Sequence, residues 1–224
     1  MSALYDATGG TSTTDATHIG FASNVIPEAK GSPTGVSVEY IPDPAKQWFV
    51  LRVSYGRSDK AQDILNINGL SHYLPVYRTK KIVKGKRRMC TVPFFPSLIF
   101  AYAEPERIDT LMKDKLNNPV LSYYYNHFAV DRTGKNPPLT VPHPVMHNFI
   151  RLTSIDDEHI RVVDPRTCRY KRGDTVIVTE GKFKGIVGKL ARVAQEQRVV
   201  INIEGVGMIA SAYIPSAFVE VYGK

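Results

Sequence analysis

The chain has 224 residues, a net charge of +8 and a pI of about 9.4. Its apolar runs fall well short of the ~20 residues that a membrane span needs, and no basic start followed by an apolar core marks a secretory leader. Cys90 and Cys168 stand far apart, which predicts a reducing, cytoplasmic setting and lacks the paired spacing of a structural zinc site. Residues 1–45 hold Asp6, Asp15, Glu28, Glu39 and Asp43 against Lys30 alone, so the remainder carries about +12. For that remainder a polyanionic neighbour is expected.

Residues 1–45 are rich in Gly, Ser, Thr, Pro and Ala, without apolar period. They predict a disordered or loosely packed arm, with an extra strand conceivable at 36–40. Order begins at Gln47. Trp48-Phe49-Val50-Leu51-Arg52-Val53 predicts a first strand. A helix is expected over 58–68, with Ala61, Ile64, Leu65 and Asn68 on one face and Gly69 as left-handed cap. Residues 73–77 predict a short second strand. After a basic segment, 91–102 is β-prone but broken by Pro93 and Pro96, which suit a bulge or edge.

Glu104-Pro105-Glu106 opens a second helix, proline and acids both suiting its first turn. Its expected stripe is Ile108, Leu111, Met112 and Leu116. Residues 120–128 predict a fourth strand. The β-α-β-β-α-β order is that of a ferredoxin-like split βαβ unit, an α+β fold. A third helical piece near 145–152 is expected to pack outside it, and the polar stretch 156–170 to act as a linker. Beyond it, alternation at Val176 and Val178, at Val199, Ile201 and Ile203, and at Met208, Ala210 and Ala212 predicts about five short strands in a small barrel.

Three segments invite a functional reading. Arg78, Lys80, Lys81, Lys84, Lys86, Arg87 and Arg88 lie within eleven residues that contain no acid. They join two strands, so they are expected at a hairpin where phosphate contacts would be salt-sensitive and blind to sequence. The plainer reading is a solvated hairpin. Phe94-Phe95-Pro96-Ser97-Leu98-Ile99-Phe100 is more apolar than a half-exposed strand needs. Periodicity favours core packing of both faces about two to one; the alternative is a docking surface. Gly181-Lys182-Phe183-Lys184-Gly185, followed by Gly188, places glycines where a tight barrel needs positive φ or close approach. Lys182 and Lys184 are expected at its exposed tip.

Taken in order, Trp48-Phe49-Val50-Leu51, Phe95-Pro96 before an apolar strand, and Val178-Thr179-Glu180-Gly181-Lys182-Phe183-Lys184-Gly185 with Gly188 resemble the NusG family. Lys60-Ala61-Gln62 and Lys81-Ile82-Val83-Lys84-Gly85-Lys86-Arg87 echo its specialised paralogues, the RfaH group and the UpxY antiterminators of capsular polysaccharide operons. The resemblance covers roughly 46–224. It implies an amino-terminal (NGN) domain over 46–155, a linker over 156–170 and a five-stranded KOW barrel over 171–224, with Val178, Gly181, Phe183, Gly185 and Gly188 as its motif. It further implies a monomeric factor that docks Phe95, Pro96, Leu98 and Phe100 on the clamp helices of the largest RNA polymerase subunit. Leu98 stands where relatives usually carry tyrosine, and Asp109-Thr110-Leu111-Met112 where the RfaH group has a His-Thr-rich stretch. Arg57, Lys60, Lys80, Lys81, Lys84, Lys86, Arg87 and Arg88 would face non-template or upstream DNA. The KOW barrel would recruit Rho or a ribosomal protein.

Rival readings fit less well. A single-strand RNA reader with this strand order needs stacking aromatics on its third strand in a pattern that Val92-Pro93-Phe94-Phe95-Pro96 lacks. A nucleic-acid-binding or ribosome-associated KOW protein without polymerase docking is the alternative. An enzyme is disfavoured. His143 and His147 have metal-helix spacing, but Pro144 occupies the place of the glutamate that a zinc protease requires. No phosphate loop or nucleophile elbow is present, and neither metal nor cofactor is expected. Tyr123-Tyr124-Tyr125 could stack on bases, though alternation along a strand sends part of the set to the core.

Overall fold

The computed structural model describes residues 43–223. The extra strand considered at 36–40, and all but the end of the arm, lie outside the described residues. Strand β1 (Gln47–Val53) runs through the centre of the first sheet. Trp48 and Val50 point to one face, Phe49, Leu51 and Val53 to the other, and all five are buried. Helix α1 (Ser58–Ile67) buries Ala61, Ile64 and Leu65. It ends in a Schellman arrangement: Gly69 has φ +60°, the Leu70 amide donates to Leu65 O and the Gly69 amide to Asn66 O, both at 2.9 Å.

The expected second strand is split. Strand β2 (Ser71–Tyr73) joins the sheet, whereas β3 (Val76–Val83) leaves it after Pro75 and pairs only with β4 (Lys86–Pro93). The long β-prone run also breaks, at 94–97, before β5 (Leu98–Ala103). Helix α2 (Pro105–Lys113) buries Ile108, Leu111 and Met112. Leu116, expected on the same stripe, is 89% exposed because the helix has already ended. Asn118 is buried instead. Its amide donates to Leu111 O and Leu121 O and accepts from the Leu121 N–H, fastening α2 to β6 (Leu121–Tyr123). Strand β6 is shorter than the 120–128 expected.

The strand order β2-β5-β1-β6, antiparallel throughout, is that of the ferredoxin-like unit; β7 (Thr140–Val141) adds to β1. Helices α1 and α2 cover one face over a core that includes Leu51, Leu65, Ile99 and Ile108.

The carboxy-terminal sheet is built from β8 (Arg161–Val163), β9 (Arg169–Val178), β10 (Val187–Val193), β11 (Glu196–Ile203), β12 (Gly207–Ala210) and β13 (Val219–Val221). Its order is β13-β9-β10-β11-β12-β8. It has six strands rather than five because β8, within the stretch expected as a linker, pairs with β12. Helix α3 (His143–Thr153) packs outside the ferredoxin-like unit, as expected, and is covered in turn by the second sheet. Met146, Phe149 and Ile150 join Trp48, Val50, Tyr73 and Phe100 of the first sheet to Val178, Ile186, Val199 and Ile201 of the second in one continuous core. The Tyr73 hydroxyl lies 2.5 Å from Thr153 Oγ1, and burial pushes its pKa up to about 12. The fold is α+β.

Candidate functional site

The apolar bend owes its shape to its prolines. Pro93 and Pro96 offer no N–H to a ladder, and the chain turns through 94–97, where the Phe94 amide donates to Pro75 O (2.9 Å) and Leu98 to Phe95 O (3.1 Å). The bend and β5 bring Phe95, Leu98 and Phe100 to the face opposite α1 and α2. That face is covered. Phe100 is fully buried beneath the Phe149 ring of α3, at 5.3 Å between centroids. Phe95, 9% exposed, stacks on Phe149 at 6.3 Å and meets Gly207 of the carboxy-terminal sheet. Leu98 is half-buried and Pro96 exposed. Phe95, Phe100 and the half-buried Leu98 belong to one apolar cluster, closed at its centre, with Pro96 exposed in the bend beside it.

The cover is fastened by polar contacts that the residue pattern did not reveal. Arg151 of α3 donates from Nη2 to Lys184 O (2.9 Å) and from Nη1 to Gly185 O (3.0 Å). The Val187 N–H donates to Asn148 Oδ1 at 2.7 Å. The Tyr124 hydroxyl donates to Gly205 O at 3.0 Å, and Arg78 pairs with Asp156 at 3.7 Å. Lys182 pairs with Asp157. Burial works to raise the Asp157 carboxyl, but the Lys182 ammonium and the His159 N–H groups outweigh it and hold it below its usual range. Lys182 and Lys184 are both exposed, as expected, and the Lys182 ion pair and the Lys184 carbonyl tie their loop to the seam between the sheets. Three of these bonds end on backbone carbonyls, which every residue carries, so no sequence signal announces them.

The glycine-spaced segment has the backbone its sequence implies. Gly181 and Gly185 have φ of +74° and +80°. A Cβ at Gly188 would stand 2.6 Å from Val199 Cγ1 and 2.8 Å from Val200 O. Val178 and Phe183 are buried in the shared core.

The cations divide between two places. Arg57 and Lys60 are exposed at the start of α1. The other six expected contacts lie on the β3–β4 ribbon, where all are exposed. Eight register pairs run from Val76↔Pro93 to Val83↔Lys86, closed by Lys84 (φ +50°) and Gly85 (φ +73°), the two positive φ angles of a twisted hairpin turn. The tyrosine triplet splits: Tyr123 packs on Phe49 and bonds Asp109, Tyr124 faces the seam, and Tyr125 is 46% exposed. His143 contacts Lys46 O (3.3 Å) and lies edge-on to Tyr102.

Residues 46–150 match the family model described as "Transcription termination factor nusG". Among solved structures the chain is similar to one titled "Domain interaction in Thermotoga maritima NusG", with 16% identity and a TM-score of 0.40, over 79% of this chain and 97% of that one. Residues 46–150, a little under half of the chain, are thus similar to the NusG family model.

Proposed function

We propose that this chain is an elongation factor of the specialised RfaH or UpxY kind, which docks on RNA polymerase and favours antitermination in particular operons. The observation that carries the proposal is the apolar bend on a NusG-family domain, where Phe95, Leu98 and Phe100 share one face beside a strongly basic ribbon. The organisation proposed is an NGN domain over 46–155 and a KOW domain over 171–224, to whose sheet β8 adds a strand from the 156–170 stretch, with Val178, Gly181, Phe183, Gly185 and Gly188 as its motif. The factor acts as a monomer in the cytoplasm by binding alone, without catalysis. The bend grips the clamp helices of the largest subunit, and the cations of α1 and the ribbon engage non-template or upstream DNA. Bridging the cleft stabilises the closed clamp by as much as the factor prefers it. The KOW domain brings Rho or a ribosomal protein to the complex at raised effective concentration.

Because Phe95 and Phe100 are enclosed by α3 and the β11–β12 turn, full docking requires that cover to shift, and Pro96 and Leu98 make the first contact. The test is capture of purified bacterial RNA polymerase by the full chain and by Leu98→Asp, both checked for native circular dichroism. Capture by the first and loss in the second is expected. If neither captures polymerase, the weight moves to a nucleic-acid-binding or ribosome-associated protein.

A further inference from the structure

The β3–β4 ribbon carries positive charge on both faces. Side chains alternate along a strand, and the register pairs Arg78 with Thr91, Lys80 with Met89 and Ile82 with Arg87 on one face. On the other, Tyr77 pairs with Val92, Thr79 with Cys90 and Lys81 with Arg88, followed by Lys86 near the tip. Arg78, Lys80 and Arg87 thus oppose Lys81, Lys86 and Arg88 across the thickness of the ribbon, with Lys84 in the turn. Among the described residues, the six cations from Lys80 onward make no ion pair; Arg78, at the base, pairs with Asp156. The ribbon is anchored at that base, where the Tyr77 ring packs tilted against Phe94, 4.8 Å between centroids. Toward the tip, Ile82 is 74% and Met89 59% exposed.

A flat acidic surface satisfies one face of such a ribbon and leaves the other unpaired. A partner matched to both faces has two negative walls with a gap between them. The major groove of B-form DNA is such a gap, about 12 Å wide and about 8.5 Å deep. Sheets stack face to face about 10 Å apart, so a ribbon with side chains on both faces is about that thick and fits that width. The minor groove, about 6 Å wide, does not admit them undistorted, and the major groove of an RNA duplex is too deep and narrow. At about 3.3 Å per residue, the groove depth takes in about two and a half residues of each strand. That places the Lys84-Gly85 turn and the Ile82–Arg87 pair among the base edges, and Lys80, Lys81 and Arg88 at the level of the phosphates.

We propose that the β3–β4 ribbon enters the major groove of double-stranded DNA tip first, one cationic face against each phosphate wall, with Ile82 against the base edges. The proposal rests on the nucleic-acid reading of these residues and adds the form of the partner and the mode of entry. Thymine methyl groups are the apolar surface the groove floor offers to Ile82, so preference among duplexes is expected to be weak and biased toward thymine.

The test uses the full chain with a 20-base-pair DNA duplex, either single strand of it, and the RNA duplex of the same sequence, each titrated over a range of salt. Two variants remove one pair of cations from one face each: Lys80→Gln/Arg87→Gln and Lys81→Gln/Arg88→Gln. DNA duplex is expected to bind best, with guanine N7 protected from dimethyl sulfate. Lys81→Gln/Arg88→Gln, which removes two cations at phosphate level, is expected to lower the slope of log K against log salt by about 1.8, and Lys80→Gln/Arg87→Gln, which removes one, by about 0.9, from about 0.9 per lost contact. A change confined to one face, equal binding of single strands, or unprotected N7 would overturn groove entry while leaving nucleic-acid binding standing. An unchanged slope in both variants would remove the nucleic-acid reading as well.

Discussion

Phe95 lies directly against Gly207: a Cβ at residue 207 would stand 3.1 Å from the Phe95 ring carbon Cε1. The contact joins two residues more than a hundred positions apart in sequence and closes the centre of the apolar bend. It holds because residue 207 lacks a side chain, and because its φ of +155° is open to glycine.

Gly207→Val is therefore expected to separate the carboxy-terminal sheet from the bend. The added branch meets both the ring and an unfavourable backbone angle, at a cost of roughly 1–3 kcal/mol. Urea denaturation should show that loss, and amide exchange at Leu98 should accelerate. Under the proposed function, polymerase capture rises in the same variant. Unchanged stability and exchange would mean the two surfaces do not meet in solution.

The Arg151 clasp predicts a graded series. Its guanidinium forks onto Lys184 O and Gly185 O, a geometry a lysine ammonium reproduces only in part. Melting temperatures are expected to fall from wild type to Arg151→Lys to Arg151→Met. The last should lose about 1.5 kcal/mol, the low end for charge-assisted bonds because the site is half-exposed. Identical melting of all three would show that the clasp contributes nothing to the closed arrangement.

Two glycines separate steric need from backbone need. Gly188→Ala drives a methyl into Val199 and the Val200 carbonyl, an overpacking of about 1–3 kcal/mol. Gly134 has φ +77° with nothing within 4 Å, so Gly134→Ala meets only the left-handed penalty of roughly 1 kcal/mol. Denaturant midpoints should rank wild type above Gly134→Ala and Gly134→Ala above Gly188→Ala. The reverse ranking would contradict the close crossing of β10 and β11.

His72 predicts a pH dependence. It is 3% exposed on β2, with Nδ1 3.2 Å from Leu70 O. Burial lowers its pKa, and the bond to Leu70 only partly opposes that. Below the unfolded pKa of about 6.5 the unfolded chain binds a proton that the folded chain refuses. Stability contributed by neutral His72 is thus present above that value and lost as pH falls from it toward the folded pKa. A drop in melting temperature between pH 7.5 and pH 5.5 that shrinks in His72→Gln is expected; an equal drop in both proteins would assign the effect elsewhere.

Much of the first sheet was legible locally. The apolar run at 48–53, the Gly69 cap and the Glu104-Pro105-Glu106 start each act within a few residues, so pattern and backbone preference located β1, α1 and α2 without reference to the rest of the chain. The ribbon cations and the glycines at 181 and 185 were legible for the same reason: charge and positive φ are properties of single residues. Where periodicity favoured core packing for the 94–100 strand, the tertiary structure decided what covers it. Phe100 lies under Phe149, and Phe95 against Gly207. It also decided that β8 belongs to the second sheet, that Leu116 is left outside and that Asn118 goes in. Those outcomes rest on shape and on hydrogen bonds to distant backbone carbonyls, such as those of Lys184, Gly185 and Gly205. Every residue offers a carbonyl, so only the folded chain selects which ones are used.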